Sequence, residues 1–368
     1  MTPKERVRAV YKGETPDQVP LILDLSHWYK KNYNEPFDLS GIQKVNYDLV
    51  DLHKKLGAVS YIEMGRFFDL YPDNPELEFK SWTKNGVFHT RIVTPAGTLE
   101  EERVFETSSY SYNIKKHLLN GVEDFPVVEY LMDHLKCRAN WDYYRDWTEA
   151  LGDLAYIYVN LPYSGSGYLI SRNLGVEKTV FAALDYPEEF KCLIDSVNTC
   201  NLRILDTIID GPFDTLIISD NYDSNIQPEK FFNLYVREYY MEVAERLHKK
   251  GKYLAIHVDG ESRGVLKWLA ECGVDCADAV TPAPMFALTP AEMREQAGPE
   301  LILSGGIPAS EIGFSGSDQA FIDSVKRWLE TKHTSSRLLM AAGDQIPTDA
   351  PWERIAMLPE LIDKYGKY

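Results

Sequence analysis

The sequence predicts a (β/α)8 barrel with an antiparallel β insertion in its N-terminal half, and three observations lead there. From Leu154 to Tyr365, short apolar runs alternate with stretches of helical period. That is the pattern of repeated strand–helix units building a parallel sheet with right-handed crossovers. Many of these runs stop abruptly at polar residues or glycine, as buried strands do where they emerge at a barrel mouth. Between Leu77 and Phe105 the period changes to apolar–polar alternation around an Asn85-Gly86 turn, which reads as hairpin rather than barrel wall. Roughly eight strands can be counted, which suits one closed barrel. The expected organisation is a single domain over 1–368 with the insertion at 75–107.

The elements follow in order. Thr2-Pro3-Lys4-Glu5 has the cap, first-turn proline and third-position glutamate of a helix start, and Gly13 ends that helix. Val19–Leu25 reads as the first barrel strand, with Asp24, Ser26, His27, Trp28 and Tyr29 at its polar and aromatic end. Ile42–Leu56 reads as a helix stopped by Gly57, and Ala58–Met64 as a strand leading into Glu63, Gly65 and Arg66. Beyond the insertion, helices are expected at Glu123–His134 and Trp141–Leu151. Strand Leu154–Leu161 then precedes a Ser164-Gly165-Ser166-Gly167 loop. That loop lacks the lysine of a phosphate-cradling loop and reads better as a substrate-lining turn. Glu177–Ile209 is helical with a break near Pro187, and Asp214–Ser219 is a strand ending in Asp220, Asn221 and Asp223. Pro228–Lys250 reads as one long amphipathic helix, with Phe232, Val236, Tyr240, Val243 and Leu247 on its apolar stripe. The remaining strands are expected to end at His257, Thr281, Leu303 and Ala342, each followed by a helix.

Hydrophobic residues make up 44% of the chain and charged residues 26%, an ordinary globular balance. No apolar run approaches the ~20 residues that cross a bilayer, and the first residues are charged, so a cytoplasmic protein is expected. A net charge of −17 argues against nucleic-acid binding. It also argues against a highly anionic substrate, unless basic residues cluster at the site. The five cysteines fit reduced thiols rather than a disulfide framework. Cys272 and Cys276 sit at a helix end and a strand start, the wrong side of a barrel for chemistry, and His248 reads as a solvated helix residue.

The stretch Lys252–Gly260, KYLAIHVDG, carries the strongest chemical signal. His257 and Asp259 are two residues apart, so on a strand they point the same way, about 6.5–7 Å apart at Cα. They can converge on one metal ion or substrate group, or simply hydrogen-bond at a strand end. Similar polar residues follow the other apolar runs: Asp24 and His27, Glu63 and Arg66, Asp220 and Asp223, and Asp344. On a barrel those ends share one mouth. Asp220 can instead cap its loop, Asp344 can stabilise its Gly-Asp-Gln turn, and Trp28 and Tyr29 can line an aromatic pocket or pack the core.

Six strings in register resemble the uroporphyrinogen decarboxylase superfamily: MTPKERVRAVYKGETPDQVP at the start, TPAGTL at 94–99, DNYDSNIQPEKF at 220–231, the H-x-D-G of 257–260, LILSGGIP at 301–308 and AAGDQIPTDAP at 341–351. The resemblance implies a TIM barrel. True uroporphyrinogen decarboxylases carry an arginine-rich RQAGRY segment after the first strand, which binds the substrate's carboxylates. The matching Asp24–Tyr29 has no arginine, so that activity is not expected. The resemblance is closer to the superfamily's corrinoid-dependent methyltransferases. There, zinc is held by H-x-C and a later cysteine; here His257, Asp259 and Asp344 stand at those places.

The resemblance thus implies a methyltransferase moving a methyl group from a small donor, an aryl methyl ether being the natural guess, to a corrinoid on a carrier protein. His257, Asp259 and Asp344 would hold zinc, or Asp259 or Asp344 would act as general acid. Asp24 and Asp220 complete the catalytic candidates, and His27, Trp28, Tyr29, Glu63, Arg66 and Asn221 are the substrate-binding ones. The alternatives are a decarboxylase of a small carboxylated substrate, with Asp24 or Asp220 at the reacting centre, and a non-enzymatic ligand-binding module.

Overall fold

The first helix, Pro3–Lys12, forms where its caps dictate. The Thr2 hydroxyl accepts the Glu5 backbone N–H while the Glu5 carboxylate accepts that of Thr2, and Gly13 closes the helix with φ +79°. Its buried face, Val7, Val10 and Tyr11, plugs the bottom of the barrel described below. The computed structural model describes residues 1–36, 44–61 and 65–368.

Strands β1 (Ile22–Leu23) and β2 (Val59–Ser60) pair in parallel. The insertion then supplies β3 (Phe68–Pro72), β4 (Glu78–Lys84), β5 (Val87–Thr94), β6 (Gly97–Glu106), β7 (Ser111–Lys116) and β8 (Leu135–Ala139). β4 to β7 form a four-stranded antiparallel sheet, and β3 pairs with β8 as a ribbon. The barrel resumes with β9 (Val159–Leu161), β10 (Thr215–Ile218), β11 (Tyr253–His257), β12 (Cys276–Val280), β13 (Ile302–Ile307) and β14 (Leu338–Ala342), a six-stranded parallel sheet. A parallel bridge from Leu21 to Met340 joins β1 to β14, so the strand order runs β2-β1-β14-β13-β12-β11-β10-β9. Between β2 and β9 the wall is closed by rings: Tyr61 meets Tyr158 edge-on at 5.6 Å.

One core cluster shows the closure directly. Ile22, Val59, Tyr156, Tyr158, Ile217, Ala255, Cys276, Ile302 and Leu339 converge with the plug helix in the barrel interior. Every barrel strand, or the turn leading into it, contributes to this cluster. That is the layered side-chain filling of a (β/α)8 barrel. The helices pack outside in a second, larger core. Among the described residues no helix is long and apolar enough to cross a membrane.

Several boundaries differ from those read off the sequence. The strand expected over Val19–Leu25 shrinks to Ile22–Leu23, and of the one expected over Ala58–Met64 the described residues show Val59–Ser60 as strand, 62–64 lying outside them. After β1, Asp24 accepts the Ser26 N–H at 2.7 Å and a helix, Ser26–Asn32, begins at once. Of the helix expected over Ile42–Leu56, Tyr47–Leu56 is seen, capped by the Asn46 side chain through the Leu49 N–H, and 42–43 lie outside the described residues. The antiparallel sheet continues to Lys116, past the Phe105 where the alternation fades. The long Pro228–Lys250 helix is two, Glu229–Tyr235 and Arg237–His248, with Val236 between them at φ −123°, ψ −45°.

Candidate active site

Six of the eight barrel strands deliver a polar or aromatic side chain to the same mouth. Asp24 follows β1, Tyr61 follows β2, Asn160 lies in β9, Asn221 follows β10, His257 ends β11, and Asp344 with Gln345 follows β14. They line a cavity of about 810 Å³, within the range of small-molecule sites. The insertion roofs it with Phe88 of β5, Arg103 of β6 and Tyr112 of β7. A smaller space of about 20 Å³ lies against Asp24, Tyr61, His257, Asp278, Ser304 and Asp344, room for one water or a small substituent.

His257 is the best-positioned group in the cavity. Its Nδ1 lies 3.0 Å from Asp278 Oδ2, and the other Asp278 oxygen accepts the Ser304 hydroxyl at 3.0 Å. Asp278 turns to this task at a β-bulge: the β12–β13 register shifts between Ala277 and Val280, and Ala279 takes φ +59°. The bulge needs close backbone approach. A Cβ on Gly305, itself at φ +149°, would lie 2.2 Å from the Val280 carbonyl oxygen. Across the cavity, His257 Nε2 is 3.7 Å from Asp344 Oδ1.

The electrostatics place a proton here. Burial works against charge on His257, but the Asp278 hydrogen bond and the charges of Asp344, Asp278 and Asp259 lift its pKa to about 9. At neutral pH the ring is an imidazolium that donates from Nδ1 to Asp278, while Nε2 faces Asp344 from 3.7 Å, beyond hydrogen-bond reach. Burial within the cavity walls pushes the Asp344 carboxyl up to about 6, His257 pulling against the rise while Asp259 and Asp24 add to it. The Asp344 side chain is still 45% exposed, because it faces the void, so water in the cavity moderates the shift without reversing it. Burial also keeps the Tyr61 hydroxyl protonated, with Asp278, Asp24 and Asp344 reinforcing the effect.

The sequence candidates divide accordingly. Asp24, His27, Asn221, His257, Asp259 and Asp344 all line the one cavity. Asp259 lies beyond the end of β11 and is exposed, so it does not share a strand face with His257. Asp220 is fully buried behind the wall. It accepts the Ser164 N–H at 2.8 Å and the Tyr240 hydroxyl at 2.6 Å, which makes it a structural anchor. Trp28 is core: its indole donates to the Ala350 carbonyl at 2.8 Å and its ring packs on Trp352. Tyr29 stacks on Tyr33 at 4.5 Å. Arg66 turns to Asp69 on β3 and does not line the cavity, and Glu63 lies outside the described residues.

The Ser164–Gly167 turn is buried too, with its N–H groups spent on Asp220, Asn198 and Ser164 itself, so it offers no phosphate cradle. Cys276 fills the barrel interior and Cys272 the outer core. The pattern gave no warning of Asp278, Tyr61, Arg103 and Arg172, all of which border the two cavities.

Zinc does not fit these residues. Among the described residues no three His, Cys, Asp or Glu side chains are grouped to hold an ion. Of the expected set, His257 and Asp344 form an ion-pair contact at 3.7 Å, while Asp259 acts on both through its charge, and an open catalytic zinc site needs three protein ligands. What the cavity can do unaided is hold a proton at the His257–Asp344 pair and give it to a leaving oxygen or carbanion.

A family model described as uroporphyrinogen decarboxylase (URO-D) matches residues 160–365, more than half of the chain. A solved structure, a methyltransferase from Methanosarcina mazei, superposes with a TM-score of 0.66 over 99% of both chains at 14% sequence identity. No curated protein sequence matches.

Proposed function

This chain belongs to the uroporphyrinogen decarboxylase family, and from that premise we propose that it is a methyltransferase, taking a methyl group from a small methyl ether and passing it to a corrinoid carried by a separate protein. The observation that carries the reading is the pairing of His257 with Asp278 at 3.0 Å and Asp344 at 3.7 Å, which favours the charged ring, on the wall of a cavity sized for one small molecule. An ether oxygen is a poor leaving group until it is protonated. A buried imidazolium fixed by Asp278 supplies that proton as the bond breaks. The methyl–oxygen bond cleaves, its electron pair stays on oxygen, and the oxygen takes the proton. The acceptor provides the pair for the new bond to carbon. Tyr61 borders the same spot and orients the oxygen by donating its hydroxyl hydrogen, with Asp24 beside it.

The test is spectroscopic. A reduced corrinoid protein is mixed with this protein and a panel of methoxylated aromatics, alcohols and amines, and its visible spectrum is followed. Conversion with at least one ether, lost in His257→Gln, is expected; no conversion across the panel removes the proposal. Family membership favours a second reading, decarboxylation of a small acid, in which the same pair protonates the carbanion left by CO₂. CO₂ release from a candidate acid, abolished by Asp24→Asn, would replace methyl transfer with that reaction. Asp220 plays no part in either, because both its oxygens are already engaged.

A further inference from the structure

The cavity holds two chemically opposite groups of charge. Around His257 the charges of Asp24, Asp259 and Asp344 act on one another, while Arg103 and Arg172 of the same cavity act on each other and on Glu101. Arg103 reaches down from β6 and pairs with Glu101 at 2.7 Å, the two side chains only 12% and 6% exposed. Its Nε is buried with no hydrogen-bond partner. Arg172 comes from the π-helical turn Tyr168–Asn173 that follows β9. Among the described residues its guanidinium makes no hydrogen bond or ion pair; only its carbonyl is engaged, by His117.

Two guanidiniums therefore share one carboxylate, leaving a surplus positive charge that faces the void. Burial disfavours the Arg172 charge, and Arg103 disfavours it further. A half-buried guanidinium without a hydrogen-bonded partner is favoured when something negative docks on it. Phe68, Phe88, Tyr112 and Tyr163 border the same void, which suits a flat ring.

We propose that Arg172, with Arg103, is a carboxylate-binding subsite, so that the substrate is a small, flat acid whose carboxylate lies at this end and whose reacting group lies at His257. The inference rests on the reading of His257 and Asp344 as the reacting end. Planar guanidinium matches a carboxylate bidentately, and a single surplus charge matches a monoanion better than a phosphate dianion. The carboxylate is a handle and not the group that departs, because ion pairing to arginine stabilises it where it is. The acidic residues at the far end repel it and so fix the direction of binding. This also answers the sequence expectation that an anionic substrate needs clustered basic residues. They are present, but supplied by the roof and the turn after β9 rather than by the segment after β1.

Binding needs no acceptor protein, so the test is separable from methyl transfer. Calorimetry compares 4-methoxybenzoate, benzoate and phenylacetate with the neutral isostere 4-methoxybenzamide on the wild-type protein. The acids are expected to bind at least tenfold more tightly than the amide. Arg172→Gln is expected to erase that preference without weakening amide binding or lowering the melting temperature; Arg103→Gln should weaken it. The proposal is overturned if the amide matches the acids, if Arg172→Gln keeps the preference, if none of the acids binds up to 10 mM, or if inorganic phosphate binds where they do not. Acid binding without methyl transfer would sink the methyltransferase reading and leave the subsite standing.

Discussion

His257 stays protonated because three aspartates outweigh the cost of burying its charge, Asp278 directly at 3.0 Å and Asp344 at 3.7 Å. Two groups thus compete for the role of proton donor, and their pKa values separate them. Asp344 gives up its proton near 6, His257 near 9. If the imidazolium is the donor, the rate at saturating substrate holds level through neutrality and falls only as pH passes about 9. A fall centred near 6 would transfer the role to Asp344. The Asp278→Asn variant removes the largest influence raising the His257 pKa, so the alkaline limb should move down by about one unit or more. The ring's own NMR titration should move with it. A limb that stays in place while the NMR titration moves would separate His257 from catalysis.

At the scale of elements, the site hangs on the β12–β13 junction. Asp278 reaches His257 only because β12 bulges at Ala279, and the bulge fits only because Gly305 has no side chain. Gly305→Ala puts a methyl 2.2 Å from the Val280 carbonyl oxygen at a φ of +149°. The expected cost is about 3 kcal/mol or more in urea unfolding, together with a lowered His257 pKa as Asp278 is displaced. A loss below about 1 kcal/mol, the usual scale for an ordinary Gly-to-Ala change in a loop, would mean that the junction relaxes freely. The same junction shows what sequence could and could not reveal. The strand–helix alternation was legible because periodicity is local, and His257, Asp259 and Asp344 were legible because they end apolar runs. Asp278 was not: between alanines inside a strand it looks like wall, and a bulge has no propensity signature when its left-handed residue is alanine. Arg103 and Arg172 were hidden because long-range packing alone brings a roof strand and a π-helical turn over the mouth. Trp28 and Tyr29 were ambiguous from the start, an aromatic pair after a strand being equally at home in a pocket or a core.

For the whole molecule, the cluster at the mouth makes the stability of the fold change with pH, and the sign can be worked out. The pKa values of His257 and Asp344 are both raised in the folded protein, so each contributes stability at low pH that is lost as pH rises: Asp344 between 3.8 and about 6, His257 between 6.5 and about 9. His53 runs the other way. Fully buried between its helix and β2, it is held neutral, with a pKa near 4, so its contribution is present above 6.5 and lost as pH falls toward 4. The Asp344 and His53 changes therefore oppose each other over nearly the same acid range, whereas the His257 change falls on the alkaline side. Its shift corresponds to roughly 3 kcal/mol, or on the order of 5 °C for a chain of this size. The melting temperature should accordingly fall by several degrees between pH 6.5 and 9.5. His257→Gln removes the titrating group, so its melting temperature should change much less over the same interval, whatever its value at neutrality. A flat wild-type profile, or a variant with the same slope, would mean that the proton at the barrel mouth is not held by this ring.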